Sequence, residues 1–208
     1  MAITLNSAEI RVLGVLIEKS MTQQQYYPMT LNAIIAAANQ KTNREPVMDL
    51  TEAEVASALH GLTQWQLSAQ SPPERGSRSN RFRHEAETRF GWESPERAIM
   101  GELMLRGPQT VGEIRTRASR MTNLGDIERV RQVLSELERA EQPMVKELSR
   151  QPGRSSTRFV QLLGGDVQPE DAPASVAEIV HPTAPSESGN EAFEARLAGL
   201  ESEVQSLR

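Results

Sequence analysis

Apolar residues return along this chain at helical spacing, in blocks separated by turn-forming residues. Ile10, Leu13, Leu16 and Ile17 make one stripe, and Asn6 with Glu9 three residues on makes a capping-box start, so a helix is expected over about residues 7–19. Tyr26-Tyr27-Pro28 reads as a non-helical connection, and Thr30 can cap a second helix through Ala38. A polar connector, Asn39 to Leu50, leads to a second capping box, Thr51 with Glu54, and a third stripe of Val55, Ala58, Leu59 and Leu62. Past Trp65, two short segments at about 67–71 and 80–86 flank Ser-Pro-Pro-Glu-Arg-Gly-Ser-Arg-Ser-Asn, where Pro72, Pro73 and Gly76 interrupt regular structure. That is the pattern of a hairpin with a long tip.

The order then repeats. Ser94-Pro95-Glu96 starts a helix with proline at its first helical position and leads into Ile99, Met100, Leu103 and Met104. Thr110 with Glu113 caps the next helix (Val111, Ile114, Ala118), and a third begins near Asp126 (Val130, Val133, Leu134, Leu137). Segments 145–148 and 158–162 flank a second tip, Gln-Pro-Gly-Arg-Ser-Ser-Thr. Gly14 aligns with Gly101, Leu31 with Val111, Ile34 with Ile114, Val55 with Val130, Leu59 with Leu134 and Phe82 with Phe159, which suggests a duplicated unit. Three helices closed by a two-stranded hairpin is the order of a winged helix-turn-helix domain. The expected class is mainly α (α+β): two tandem winged helices, residues 1–88 and 89–165.

Composition changes after Gly165. Proline, alanine, serine and acids dominate 166–189, too little apolar surface to offset ordering entropy, so a disordered acidic linker is expected there. Phe193, Leu197, Leu200, Val204 and Leu207 then form an a/d stripe over 190–208, a short coiled-coil-like helix that predicts a homodimer. From Asp166 on, nine acids stand against two arginines, a net of -7. The overall -5 therefore conceals a body of +2. Cysteine is absent, which excludes disulfides and thiolate metal sites. Charges inside the first apolar run argue against a signal peptide, and no run is apolar enough to span a membrane, so a cytoplasmic protein is expected.

The run Asn-Gln-Lys-Thr-Asn-Arg-Glu-Pro-Val-Met (39–48), with Leu16-Ile17-Glu18-Lys19 before it and Leu105-Arg106-Gly107-Pro108-Gln109-Thr110 after it, resembles the YceH-like family of bacterial proteins. The resemblance covers about residues 5–163. It implies a tandem winged-helix protein and supplies neither a catalytic residue nor a cofactor.

Candidate chemistry is sparse. His60, His84 and His181 are scattered, and no Walker loop, GxSxG, GxGxxG or HExxH spacing occurs, so no catalytic, cofactor or metal residue is assigned and no enzyme is expected. Lys41, Asn43 and Arg44 in the connector could meet phosphate oxygens before the third helix. The competing expectation is structural, with Asn39 and Asn43 bonding local backbone and Val47 or Met48 plugging the core. Arg75, Arg78, Arg81 and Arg83 against Glu74 give the first hairpin a local +3, and Arg150, Arg154 and Arg158 give the second the same. These are candidate phosphate contacts. Glu18-Lys19 reads as a solvated face. The third helix opens on Thr51-Glu52-Ala53-Glu54, and carboxylates suit a polyanion poorly. The sequence therefore leaves double-stranded DNA as the first partner class and another protein as the alternative.

Overall fold

Each of the three capping boxes closes. Asn6 Oδ1 accepts from the Glu9 N–H at 2.9 Å while Glu9 Oε2 accepts from the Asn6 N–H at 2.8 Å, so α1 (Ser7–Thr22) begins with two orphan donors satisfied. Thr51 with Glu54 and Thr110 with Glu113 start α3 (Glu52–Gln64) and α6 (Val111–Ala118) in the same way. α1 runs a turn past its expected end, where the Ser20 and Thr22 hydroxyls donate to the Ile17 and Glu18 carbonyls.

The computed structural model describes residues 3–71, 79–150 and 156–165, all within one compact unit. It has a mixed α/β architecture. After α1 come a 3₁₀ turn (Gln24–Tyr26), the two-residue strand β1 (Met29–Thr30), α2 (Leu31–Ala38) and α3. The hairpin strands β2 (Ser68–Ser71) and β3 (Arg81–His84) follow, then α4 (Ala86–Phe90) and α5 (Ser94–Arg106). The remainder is α6, α7 (Ile127–Arg139), β4 (Val145–Leu148) and β5 (Arg158–Gln161). β1, β3 and β2 form an antiparallel sheet in that order, with Met29 opposite Phe82, and β4 pairs with β5.

Three elements depart from the sequence expectation. The pattern predicts a plain connection where β1 lies, yet Met29 is buried and pairs with β3. The second hairpin strand stops at His84, and α4 follows, ended by Gly91 at φ 71°, a left-handed position that glycine adopts without a side-chain clash. Val47 is exposed rather than packed. Met48 is half-buried against the core. The expected linker at 166–189 and the stripe Phe193, Leu197, Leu200, Val204 and Leu207 lie outside the described residues.

The two halves share details beyond element order. Phe82 on β3 pairs with Met29 just before α2, and Phe159 on β5 bridges Gln109 just before α6. Arg81, one residue before Phe82, donates to the Pro28 carbonyl at 2.9 Å, and Arg158, one residue before Phe159, donates to the Pro108 carbonyl at 3.3 Å. α1 and α5 pack directly on one another, and a single cluster of buried side chains runs from Ile3 to Leu163. At their crossing a Cβ added to Gly14 would lie 2.9 Å from Met104 Cβ, and one added to Gly101 would lie 3.0 Å from Ile17 Cγ2. Gly14 and Gly101 are aligned positions, as are Ile17 and Met104, so the contact is reciprocal, as in an interface between like units.

A Gly→Ala change inside a helix ordinarily gains about 1 kcal/mol. At Gly14 overpacking should reverse the sign, with a loss of about 1–3 kcal/mol. Gly112→Ala, whose added carbon meets nothing within 4 Å, should be neutral or stabilising by up to about 1 kcal/mol. Denaturant titration of both variants checks the opposite signs.

Candidate functional site

The connector between α2 and α3 is held from within. The Asn39 side-chain amide makes two bonds to Leu50, donating to its carbonyl and accepting from its N–H, each at 2.8 Å. Arg11 on α1 donates to the Ala38 and Pro46 carbonyls, clasping both ends of the loop. Burial, with the nearby charge of Arg44 adding to it, pulls the Arg11 guanidinium down to about 10. Asn43 takes the left-handed conformation (φ 61°) that Asn tolerates better than most residues. Its side-chain oxygen accepts from Arg106 on α5 and not from backbone. The Glu45 N–H donates to the Leu105 carbonyl at 2.8 Å, joining the connector to α5.

Arg44 corrects the sequence reading. Its side chain is 0 % exposed and reaches Glu18 with two donors, at 2.6 and 3.2 Å, while its other N–H groups take the Ala37 and Asn43 carbonyls. A guanidinium so enclosed is withdrawn from any phosphate. Glu18 is likewise no solvated residue: its side chain is 2 % exposed. Burial alone would raise its pKa, but the Arg44 bonds together with the Arg44 and Arg120 charges outweigh this and hold the carboxyl below its ordinary range. Arg120 bridges Glu18 (2.5 Å) and the fully buried Glu102 (3.2 Å). Arg106 lies 2.9 Å from Glu102 in an ion contact not aligned as a hydrogen bond. Glu18, Glu102, Arg44, Arg106 and Arg120 thus join α1, α5, the connector and the chain after α6. The sequence pattern offers Arg44 as a phosphate ligand and Glu18 as a solvated acid, and it assigns no role to Glu102, Arg106 or Arg120. The only signals were a carboxylate inside each apolar helix and the i,i+4 pair Glu102/Arg106.

Of the remaining candidate phosphate ligands, Lys41 and Arg150 are exposed. Arg81 and Arg158 are half-buried on proline carbonyls, as described above, and Arg83 is committed to Glu85 (2.7 Å) and Ser71 (3.0 Å). Arg75, Arg78 and Arg154 lie outside the described residues. The α3 face beside the first sheet carries no cation. Ala56, Leu59, His60 and Thr63 from α3, with Leu31 and Phe82, line a groove of about 300 Å³, and exposed Glu52 stands one turn before Ala56.

Ser20 and His84 approach at 2.9 Å, but the protons run the wrong way for a nucleophile. His84 Nδ1 accepts from the Ala86 N–H, so Nε2 carries the proton and donates to Ser20 Oγ, whose own hydrogen goes to the Ile17 carbonyl. Burial first, then the Arg97 charge, lowers His84 to about 4 despite Glu85. Among the described residues no group of three or more His, Asp or Glu is placed to hold a metal ion, and no helix is long and apolar enough to cross a membrane.

Truncating Arg44 to alanine leaves Glu18 short of a buried partner, and a loss of about 3–5 kcal/mol is expected from denaturant titration. His84 generates a pH dependence of its own. It stays neutral in the fold down to about 4, whereas an unfolded histidine protonates near about 6.5. Its contribution is therefore complete above that value and declines as pH falls between the two, by about 3 kcal/mol. Unfolding free energies measured across this window should show the decline, and His84→Asn should remove that slope.

The family model described as "Protein of unknown function, DUF480" matches residues 5–154. A UPF0502 protein of Pelobacter propionicus is 45% identical over 208 residues, spanning 100% of this chain and 92% of its own length. One from Geobacter sulfurreducens is 46% identical over 210 residues, with 100% and 91% covered, and one from Geotalea daltonii is 46% identical over 168 residues, with 81% and 76% covered. With a matched segment that spans the connector, both buried carboxylates and the first hairpin, the chain belongs to the DUF480 family of bacterial UPF0502 proteins.

Proposed function

We propose that this chain is a non-enzymatic tandem of two winged helices that works by holding a partner protein. The tandem reading agrees with the resemblance to YceH-like proteins, and the repeated strand pairings and arginine clamps support it. The observation that carries the partner class is the face of α3. In a DNA-reading winged helix this element enters the major groove and meets a polyanion. Here it opens on Glu52 and Glu54 and lines an apolar groove with Leu31 and Phe82. That surface suits a segment with an apolar anchor and a basic residue opposite Glu52. Duplex binding, the other reading, draws its support from Lys41, Arg150 and the exposed Arg129, Arg131 and Arg139 of α7. Among the described residues, the wing cations Arg81, Arg83 and Arg158 are already engaged within the fold, so they contribute little to counterion release. In either reading the stripe from Phe193 to Leu207 serves to pair two copies.

A photo-crosslinking residue at position 63, on the groove rim, tests the proposal in the producing bacterium. The expected result is an adduct with a protein segment carrying basic residues, lost on Glu52→Lys, together with no retention of generic duplex in a low-salt mobility shift. Salt-sensitive duplex retention without a protein adduct would put the DNA reading in its place.

A further inference from the structure

We propose that the cavity of about 530 Å³ bounded by α1, β3, α4 and the start of α5 is a binding site for a small organic acid, with Arg97 as the carboxylate anchor and Glu87 as its internal placeholder.

The argument begins with Arg97. Its side chain is 16 % exposed and is aimed by two bonds, to Ser94 Oγ at 3.0 Å and to the Glu93 carbonyl at 3.4 Å. Its third partner is Glu87, which sits on the short helix α4 with a side chain 56 % exposed. A largely buried cation is thus completed by a carboxylate that can swing into water at little cost. Two neighbours add to the preference for an anion. Glu93, at the N-cap of α5, makes no side-chain cap bond, so the positive end of a 13-residue helix lacks that acceptor beside Ser94 on the cavity wall. The Tyr27 hydroxyl accepts from the His84 N–H at 2.6 Å, and its own hydrogen has no acceptor among the described residues. Burial pushes the Tyr27 phenol up, so it remains a donor.

Charge selects the class of ligand. The titratable groups on the cavity wall are Arg83, Glu85, Glu87, Arg97, His84 and Tyr27. Arg83 is matched by Glu85, His84 is neutral at physiological pH, and among the described residues Arg97 is matched by Glu87. Displacing Glu87 leaves one positive charge, which a monoanion neutralises. Met21 and Met121 give this mainly polar wall an apolar, adaptable part. The volume lies in the range of about 300–1,000 Å³ that small-molecule sites occupy. A carboxylate with a compact hydrocarbon body satisfies all of these features together. Because the wall takes residues from both halves of the chain, such a ligand would touch both.

Calorimetry and thermal melting of the full chain with benzoate and hexanoate, against benzamide and hexanamide, test the assignment. At least one acid should bind and raise the melting temperature while its amide does not. Arg97→Gln should weaken binding roughly tenfold or more, the scale of a lost charge-assisted bond. Glu87→Gln should tighten it, because the competing carboxylate is gone. A structural role for the Arg97–Glu87 pair would lower stability in both variants without that gain in affinity. Melting of each unliganded variant shows that it folds. The proposal is overturned by acids and amides that bind alike or not at all, by a Glu87→Gln protein with no gain in affinity, or by inorganic phosphate binding as well as benzoate.

Discussion

Two carboxylates buried at the meeting of α1 and α5 constrain everything around them. Removal of a charge from water costs several kcal/mol, and both Glu18 and Glu102 are met there by cations. Arg44, Arg106 and Arg120 supply them from the connector, from α5 and from the chain after α6. Hydrophobic contact alone would tolerate a small slide of one helix on the other. A two-donor contact between Arg44 and Glu18 does not, because sliding would leave a buried charge unmatched. The reciprocal glycines act in the same direction: Gly14 and Gly101 let the helices approach so closely that methyl groups at those positions would collide with the facing side chains.

This arrangement decides which groups remain for binding. A connector rich in amides and cations has the composition of a ligand loop, but its central arginine is consumed by the core and its Asn43 by Arg106. Two hairpin arginines follow the same logic. Arg81 and Arg158 tie each hairpin to the residue before a helix, so their shared position reflects the repeated architecture and not a repeated phosphate contact. Among the described residues there remain a groove with a carboxylate at one end and a polar cavity where Glu87 pairs with Arg97.

Elements whose causes are local can be read along the chain. Helix starts at Asn6, Thr51 and Thr110 follow from side chains three residues apart, and the apolar stripes follow from a fixed helical period. The alignment of Gly14 with Gly101 and of Phe82 with Phe159 was legible too, because a repeat preserves the order of elements. The fate of the charged residues depends instead on long-range packing. Whether Arg44 faces water or Glu18, and whether Glu18 is a surface acid or the centre of an ion cluster, depends on which helix face α5 covers. That contact joins residues scores of positions apart, and no local period encodes it. The same holds for β1, whose two residues pair only because β3 returns beside them from the far end of the first half.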